Sequence, residues 1–126
     1  MSSPLSPNAY PYQNEPIWSK SEKAIARKAF DAALAQELQQ VIQEAKRMAR
    51  EIKQSSELWD LELHLTQRRK EIDRKYEFRG SRLTHVLGRL VCEGRVNEEQ
   101  LSGLREDQLK SIRWHAKFLL KEADAG

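Results

Sequence analysis

From Ile17 to Arg79 the chain contains neither Gly nor Pro. Those two residues are the strongest local breakers of regular backbone, so so long a run without them points to helix throughout. No strand-like alternation of apolar and polar residues appears in the run. All four prolines (Pro4, Pro7, Pro11 and Pro16) fall in the first sixteen residues, among Ser, Asn and Tyr. That stretch is expected to be a flexible lead-in, whose Tyr10 and Tyr12 are either a short recognition motif or an inert tail.

Ser19 followed by Glu22 is a capping box that starts the first helix. Leu34, Leu38, Val41, Ala45, Met48 and Ile52 then recur in the alternating spacing of a heptad seam, and Ala35, Ile42 and Ala49 widen it. A helix from Ser21 to Lys53 would be about 50 Å long. One returning helix does not cover so broad an apolar face. A second copy of the chain is the expected partner, with a monomeric core seam as the alternative.

Ser55 and Ser56 before Glu57 mark the one break in the run, with a Ser N-cap and an acidic first turn expected there. On the second helix Leu58, Leu61, Leu65, Ile72 and Tyr76 fall on one side and read as a core seam. Trp59 and Leu63 point the other way, at i and i+4, with Thr66 and Lys70 continuing their row. Glu62, Arg69 and Asp73 occupy the strip between. A Trp and an Arg beside an exposed apolar neighbour is the composition of a binding hot spot, so this face is expected to hold another protein. Arg69 has two readings: a stem that covers the seam while its head pairs with Asp73 or Glu62, or a guanidinium presented to a partner.

Gly80-Ser81 ends the second helix and caps a third, where Leu83, Val86, Leu87, Leu90 and Val91 form a stripe up to Gly94. Asn97 to Leu101 is a capped short helix. A last helix runs from about Arg105 with Leu109, Ile112, Ala116 and Leu119 as its stripe. The expected fold is all-α: a long antiparallel helical stem (residues 19–79) forming a homodimer, and a compact C-terminal helical head (81–122), in one domain from 17 to 126.

The function classes that need a chemical signature are poorly supported. There is no Gly-rich phosphate loop, no nucleophile elbow, and no paired Cys or His at metal-ligand spacing, so no enzyme, cofactor or metal is expected. Asp60 and His64 stand four apart, but without further ligands a surface ion pair is the simpler reading. Nucleic acid is suggested by the basic stretch from Arg68 to Arg82, yet Glu71, Asp73 and Glu77 are interleaved at pairing distance, as in a self-salted surface helix. A net charge of +3 is mild. The single Cys92 forms no internal disulfide and reads as a small apolar residue beside the third stripe, so a reducing cytoplasmic setting is expected. No apolar run is long enough for a membrane span, and no signal segment is expected.

The stretch LWDLELHLTQRRKEIDRKY, Leu58 to Tyr76, resembles the central signature of the cyanobacterial fluorescence recovery protein family: LW-x-L, then a basic pair, then R-x-EID-x-KY. Leu58, Trp59, Leu61, Leu65, Arg69, Glu71, Ile72, Asp73, Lys75 and Tyr76 fit it. The likeness extends to Trp18-Ser19, Phe30, Leu38, Glu93 to Val96, Glu99 and Leu101, and so covers roughly Ile17 to Phe118. The resemblance implies an all-helical homodimer whose partner is the orange carotenoid protein, a light-activated quencher of phycobilisome excitation. Family members bind its activated red form through its C-terminal domain, hasten its return to the orange form and favour its release from the phycobilisome. Carried onto this sequence, the partner surface centres on Trp59 and Arg69, with Leu58, Glu62, Thr66, Asp73 and, in the head, His85 beside them, while Leu63 joins them on its helical position beside Trp59 and not on the resemblance. Some relatives place a His-Asp pair where Glu62-Leu63 stands and an aromatic where His85 stands, so contacts at those positions are expected to differ here. Any membrane association is expected to be peripheral, on the cytoplasmic side of the thylakoid.

Overall fold

A computed structural model of the chain describes residues 17–125, with side chains to 122. The Pro-rich lead-in and its two tyrosines lie outside the described residues. Four α-helices follow in order: α1 Lys20–Arg50, α2 Ser55–Lys75, α3 Leu83–Cys92 and α4 Glu106–Ala125, with 3-10 turns at Gly80–Arg82 and Glu98–Leu101. The described residues contain no strand, and the fold is all-α as expected.

The starts of α1 and of the Glu98–Leu101 turn follow directly from local chemistry. The Ser19 hydroxyl accepts from the Glu22 amide at 3.2 Å, and the Glu22 carboxylate accepts from the Ser19 amide at 2.8 Å. Asn97 and Gln100 make the same reciprocal pair at 3.0 and 2.9 Å. The expected Ser N-cap of α2 is displaced by one residue: Gln54 takes the cap position, and Glu57 reaches back to the amides of Lys53 and Gln54 at 2.8 and 2.9 Å. A carboxylate that satisfies two orphan amides outcompetes a single hydroxyl. α3 stops at Gly94, whose φ of +76° is open to Gly at no steric cost. Its amide bonds back to Val91, and that of Arg95 bonds back to Leu90, which closes the last carbonyls of the helix.

The core lies in the head. Leu83, Val86, Leu87 and Leu90 of α3 pack with Leu101, Leu104 and Ile112, and the first half of α1 joins them through Ala26, Ala29, Phe30 and Ala33. α1 therefore belongs to both parts: its N-terminal half is head core and its C-terminal half is stem. Small residues at 26, 29 and 33 let the head approach the α1 backbone closely. At the far side Glu22 ties α1 to α4, accepting from Gln108 Nε2 at 3.1 Å and Arg105 Nη1 at 3.1 Å. Cys92, the last residue of α3, is half-buried at the edge of its buried stripe.

Candidate partner-binding site

α1 and α2 are joined along the stem by a polar seam rather than by the apolar stripes. Glu37 of α1 is 1% exposed and receives Lys75 Nζ on both carboxylate oxygens, at 2.8 and 2.9 Å, and the Tyr76 hydroxyl at 2.9 Å. Arg68 bridges Glu37 at 3.2 Å and Glu44 at 3.1 Å, and His64 meets Glu44 at 2.9 Å. Glu93 and Arg95 close the cluster from the end of α3, at 2.9 Å from Lys75 and 3.3 Å from Glu37 respectively. Burial pushes the Glu37 carboxyl up, but the Lys75 and Tyr76 hydrogen bonds outweigh it and hold the pKa below its ordinary value. Burial and the Glu37 bond together raise the Tyr76 phenol, so it stays a donor.

Because the polar seam holds the pair together, the apolar stripes turn aside from it. In α1 the seam residues Glu37 and Glu44 lie on one face, while Leu38 and Ile42 stand 44% and 42% exposed. Leu34, Val41, Ala45, Met48 and Ile52 are half-buried, and Ala35 and Ala49 are open. In α2 the expected core seam is covered only at its C-terminal end. Ile72 is buried and Tyr76 half-buried, Leu61 is intermediate, and Leu58 and Leu65 are exposed. In an antiparallel pair, stripes displaced in the same rotational sense from the facing residues open on the same side. The two helices thus share one apolar side that no other element among the described residues covers.

The sequence-predicted contact residues sit as follows. Trp59 is 61% exposed and Leu63 56% exposed, on the α2 face away from α1. Leu58, Glu62, Thr66, Arg69 and Asp73 are exposed around them. Neither expected salt partner reaches Arg69: among the described residues its guanidinium pairs with neither Asp73 nor Glu62, and it faces solvent. Its neighbour Arg68, not singled out above, carries the structural ion pairs instead. His64 likewise pairs with Glu44 of the other helix rather than with Asp60. Asp73 takes no part in salting the basic stretch, whereas Glu71 pairs with Arg68 and Glu77 with Arg79 and Arg82. His85 is not part of the α2 group. It lies half-buried on α3 with its ring edge-on to His115 at 5.1 Å.

No group of three or more His, Cys, Asp or Glu side chains able to hold a metal occurs among the described residues. No helix of the described residues is long and apolar enough to cross a membrane.

These elements define an all-α protein whose stem, among the described residues, leaves an apolar side and an outward Trp unpartnered. The family described as photoprotection regulator fluorescence recovery protein matches residues 18–116. The chain is 34% identical over 104 residues to the fluorescence recovery protein of Synechocystis sp. PCC 6803, covering 82% of this chain and 95% of that one. It superposes on the structure of the Fremyella diplosiphon fluorescence recovery protein with a TM-score of 0.76 at 32% identity, over 80% of this chain and 99% of that one. The Synechocystis structure gives the same TM-score, 0.76, at 34% identity. The chain belongs to the fluorescence recovery protein family of photoprotection regulators.

Proposed function

We propose that this chain ends photoprotective quenching by binding the photoactivated, red orange carotenoid protein, speeding its return to the orange form and favouring its release from the phycobilisome. The observation that carries the reading is the α2 face on which Trp59 and Leu63 stand open beside an unpaired Arg69. A large aromatic left in water next to a free guanidinium gains most when both are desolvated against a partner. Leu58, Glu62, Thr66 and Asp73 surround that centre, and His85 belongs to a separate contact in the head. The C-terminal domain of the activated partner is the part gripped by the α2 face. The chain works without covalent chemistry: binding the rearranging partner more tightly than the open state lowers the barrier to closure.

We further propose a homodimer through Leu34, Leu38, Val41, Ile42, Ala45, Met48 and Ile52, which would cover the open side of the stem. The dimer acts in the cytoplasm, with any membrane contact peripheral on the cytoplasmic side of the thylakoid.

The test is the rate at which photoactivated orange carotenoid protein reverts in the dark with catalytic amounts of this chain. Trp59→Ala and Arg69→Leu should each slow the accelerated reversion about tenfold, the size of a hot-spot loss. Wild-type rates in both variants, with the fold intact, would overturn the assignment of this face.

A further inference from the structure

Trp59 lies in the part of α2 that is held least firmly. From Ser55 to Leu63 every side chain is exposed except those of Glu57 and Leu61, which are half-buried. Glu57 is engaged with the amides of Lys53 and Gln54, so Leu61 is the one apolar side chain of this segment that is partly covered. A single aliphatic contact is non-directional and leaves a helix free to turn about its axis. Among the described residues, the nearest side-chain bonds from this segment to α1 are those made by Glu44. Its Oε1 accepts from Arg68 Nε at 3.1 Å and lies 2.9 Å from His64 Nε2. Two side chains one turn apart on α2 thus converge on one oxygen. At about 100° per residue, Arg68 points directly opposite Trp59, and His64 about 140° from it. Burial works against the Glu44 charge, but the bonds from His64 and Arg68 outweigh it and hold the carboxyl below its ordinary pKa, so the acceptor stays ionised.

Turning α2 about its axis in either sense would pull these side chains off the shared oxygen. Hydrogen bonds are directional, so the pair resists a rotation that Leu61 alone would allow. Glu37 acts elsewhere: besides Arg68, its partners on this side are Lys75 and Tyr76 at the far end of α2, where they fix the join to the head. We propose that Glu44 is a positioning residue for partner binding. It sets the rotation of α2 that points Trp59 outward with Arg69 beside it, and it touches no partner itself. The proposal rests on the reading that the α2 face holds the photoactivated orange carotenoid protein. Without the tie, α2 samples other rotations and only a fraction of chains presents the indole correctly. Apparent affinity falls by that fraction, whereas a chain once bound works at the ordinary rate.

The test follows dark reversion of the photoactivated partner against the concentration of the full chain. Glu44→Ala should raise the half-saturating concentration about fivefold and leave the saturating rate at its wild-type value. Circular dichroism should show native helicity, because Arg68 keeps Glu37 and Glu71 as partners and the half-buried His64 returns to water. Glu44→Gln retains an acceptor oxygen at the same reach and should stay within about twofold of wild type. In a double-mutant cycle Glu44→Ala should add little to Trp59→Ala, since a positioning residue acts through what it positions. Additive losses, a lowered saturating rate, or a Gln variant as weak as the Ala variant would each overturn the proposal. Wild-type affinity in Glu44→Ala beside a weakened Trp59→Ala would also overturn it, and would leave the α2 site standing. If the wild-type chain does not accelerate reversion, the partner reading fails and takes this proposal with it.

Discussion

Lys75 and Glu37 form a two-point ion pair, Nζ 2.8 and 2.9 Å from the carboxylate oxygens, with side chains 2% and 1% exposed. It joins the end of α2 to the middle of α1, where the stem enters the head. Burying two charges is costly, and the Tyr76, Arg68, Glu93 and Arg95 contacts make it tolerable by filling the remaining hydrogen-bond positions. Removing one member leaves the rest buried without their counter-charge. Glu37→Ala should therefore lower unfolding free energy by about 3 kcal/mol, read as a shifted urea midpoint at unchanged slope. Glu37→Leu combined with Lys75→Met should recover much of that loss. A double variant as unstable as Glu37→Ala would show that the network is needed for more than charge balance.

How much of this was legible in sequence depended on whether a feature is local. The Ser19–Glu22 and Asn97–Gln100 caps, the α3 stripe and the stop at Gly94 each involve residues a few positions apart, and each appears in the structure. The polar seam was not legible. Arg68 has acidic neighbours at helical spacing, so it reads as self-salted, and nothing local says that its other partners lie on α1 at Glu37 and Glu44. Ala26, Ala29 and Ala33 were not singled out either, because small residues carry little hydrophobic signal yet decide how closely the head packs.

Close packing in the head gives a second prediction. A Cβ added at Gly88 would meet His115 Cβ at 2.5 Å and the Ile112 carbonyl at 2.9 Å. Both belong to α4, so the crossing of α3 and α4 depends on the absent side chain. Gly88→Ala gains helix propensity of about 1 kcal/mol, but overpacking costs about 1–3 kcal/mol. The contact at 2.5 Å involves a rigid Cβ rather than a flexible tip, so the loss should win. The measurement is the thermal midpoint by circular dichroism, which should fall by several degrees with helix content preserved. A midpoint at or above wild type would mean that α4 shifts outward freely.

The same crossing contains the His85–His115 pair. Burial lowers the pKa of both rings, and the positive charge of Arg82 reinforces it in each, with Arg89 also acting on His85 and His85 on His115. No acidic group contributes to either shift. A folded pKa below the unfolded value near 6.5 means that the unfolded chain binds protons first as pH falls. The contribution is fully present above pH about 6.5 and is lost as pH drops through that value towards the lower folded pKa. The unfolding midpoint in urea should be flat from pH 8 to 7 and decline below about 6.5, ahead of the carboxylate range. His85→Gln with His115→Gln should remove that early decline while leaving the loss at lower pH, where Glu37 and Glu93 are protonated. An unchanged profile in the double variant would place the titration elsewhere.

Ile42 provides the test of the proposed dimer. It stands 42% exposed on the open apolar side of the stem, with Leu38 a turn before it. Glu44, the nearest α1 member of the polar seam, points to Arg68 and His64, so a substitution at Ile42 leaves the hydrogen bonds between α1 and α2 alone. Glu at this position costs the single chain little, because the side chain is already in contact with water. Across a two-fold interface the charge would be buried twice, unpaired, at several kcal/mol each. Ile42→Glu should therefore yield monomers of native helicity in size-exclusion chromatography with light scattering. A persistent dimer would show that the copies join through another face. The monomer would still carry Trp59 and Arg69 undisturbed, so its activity in carotenoid protein reversion separates the contribution of the contact face from that of presenting it twice.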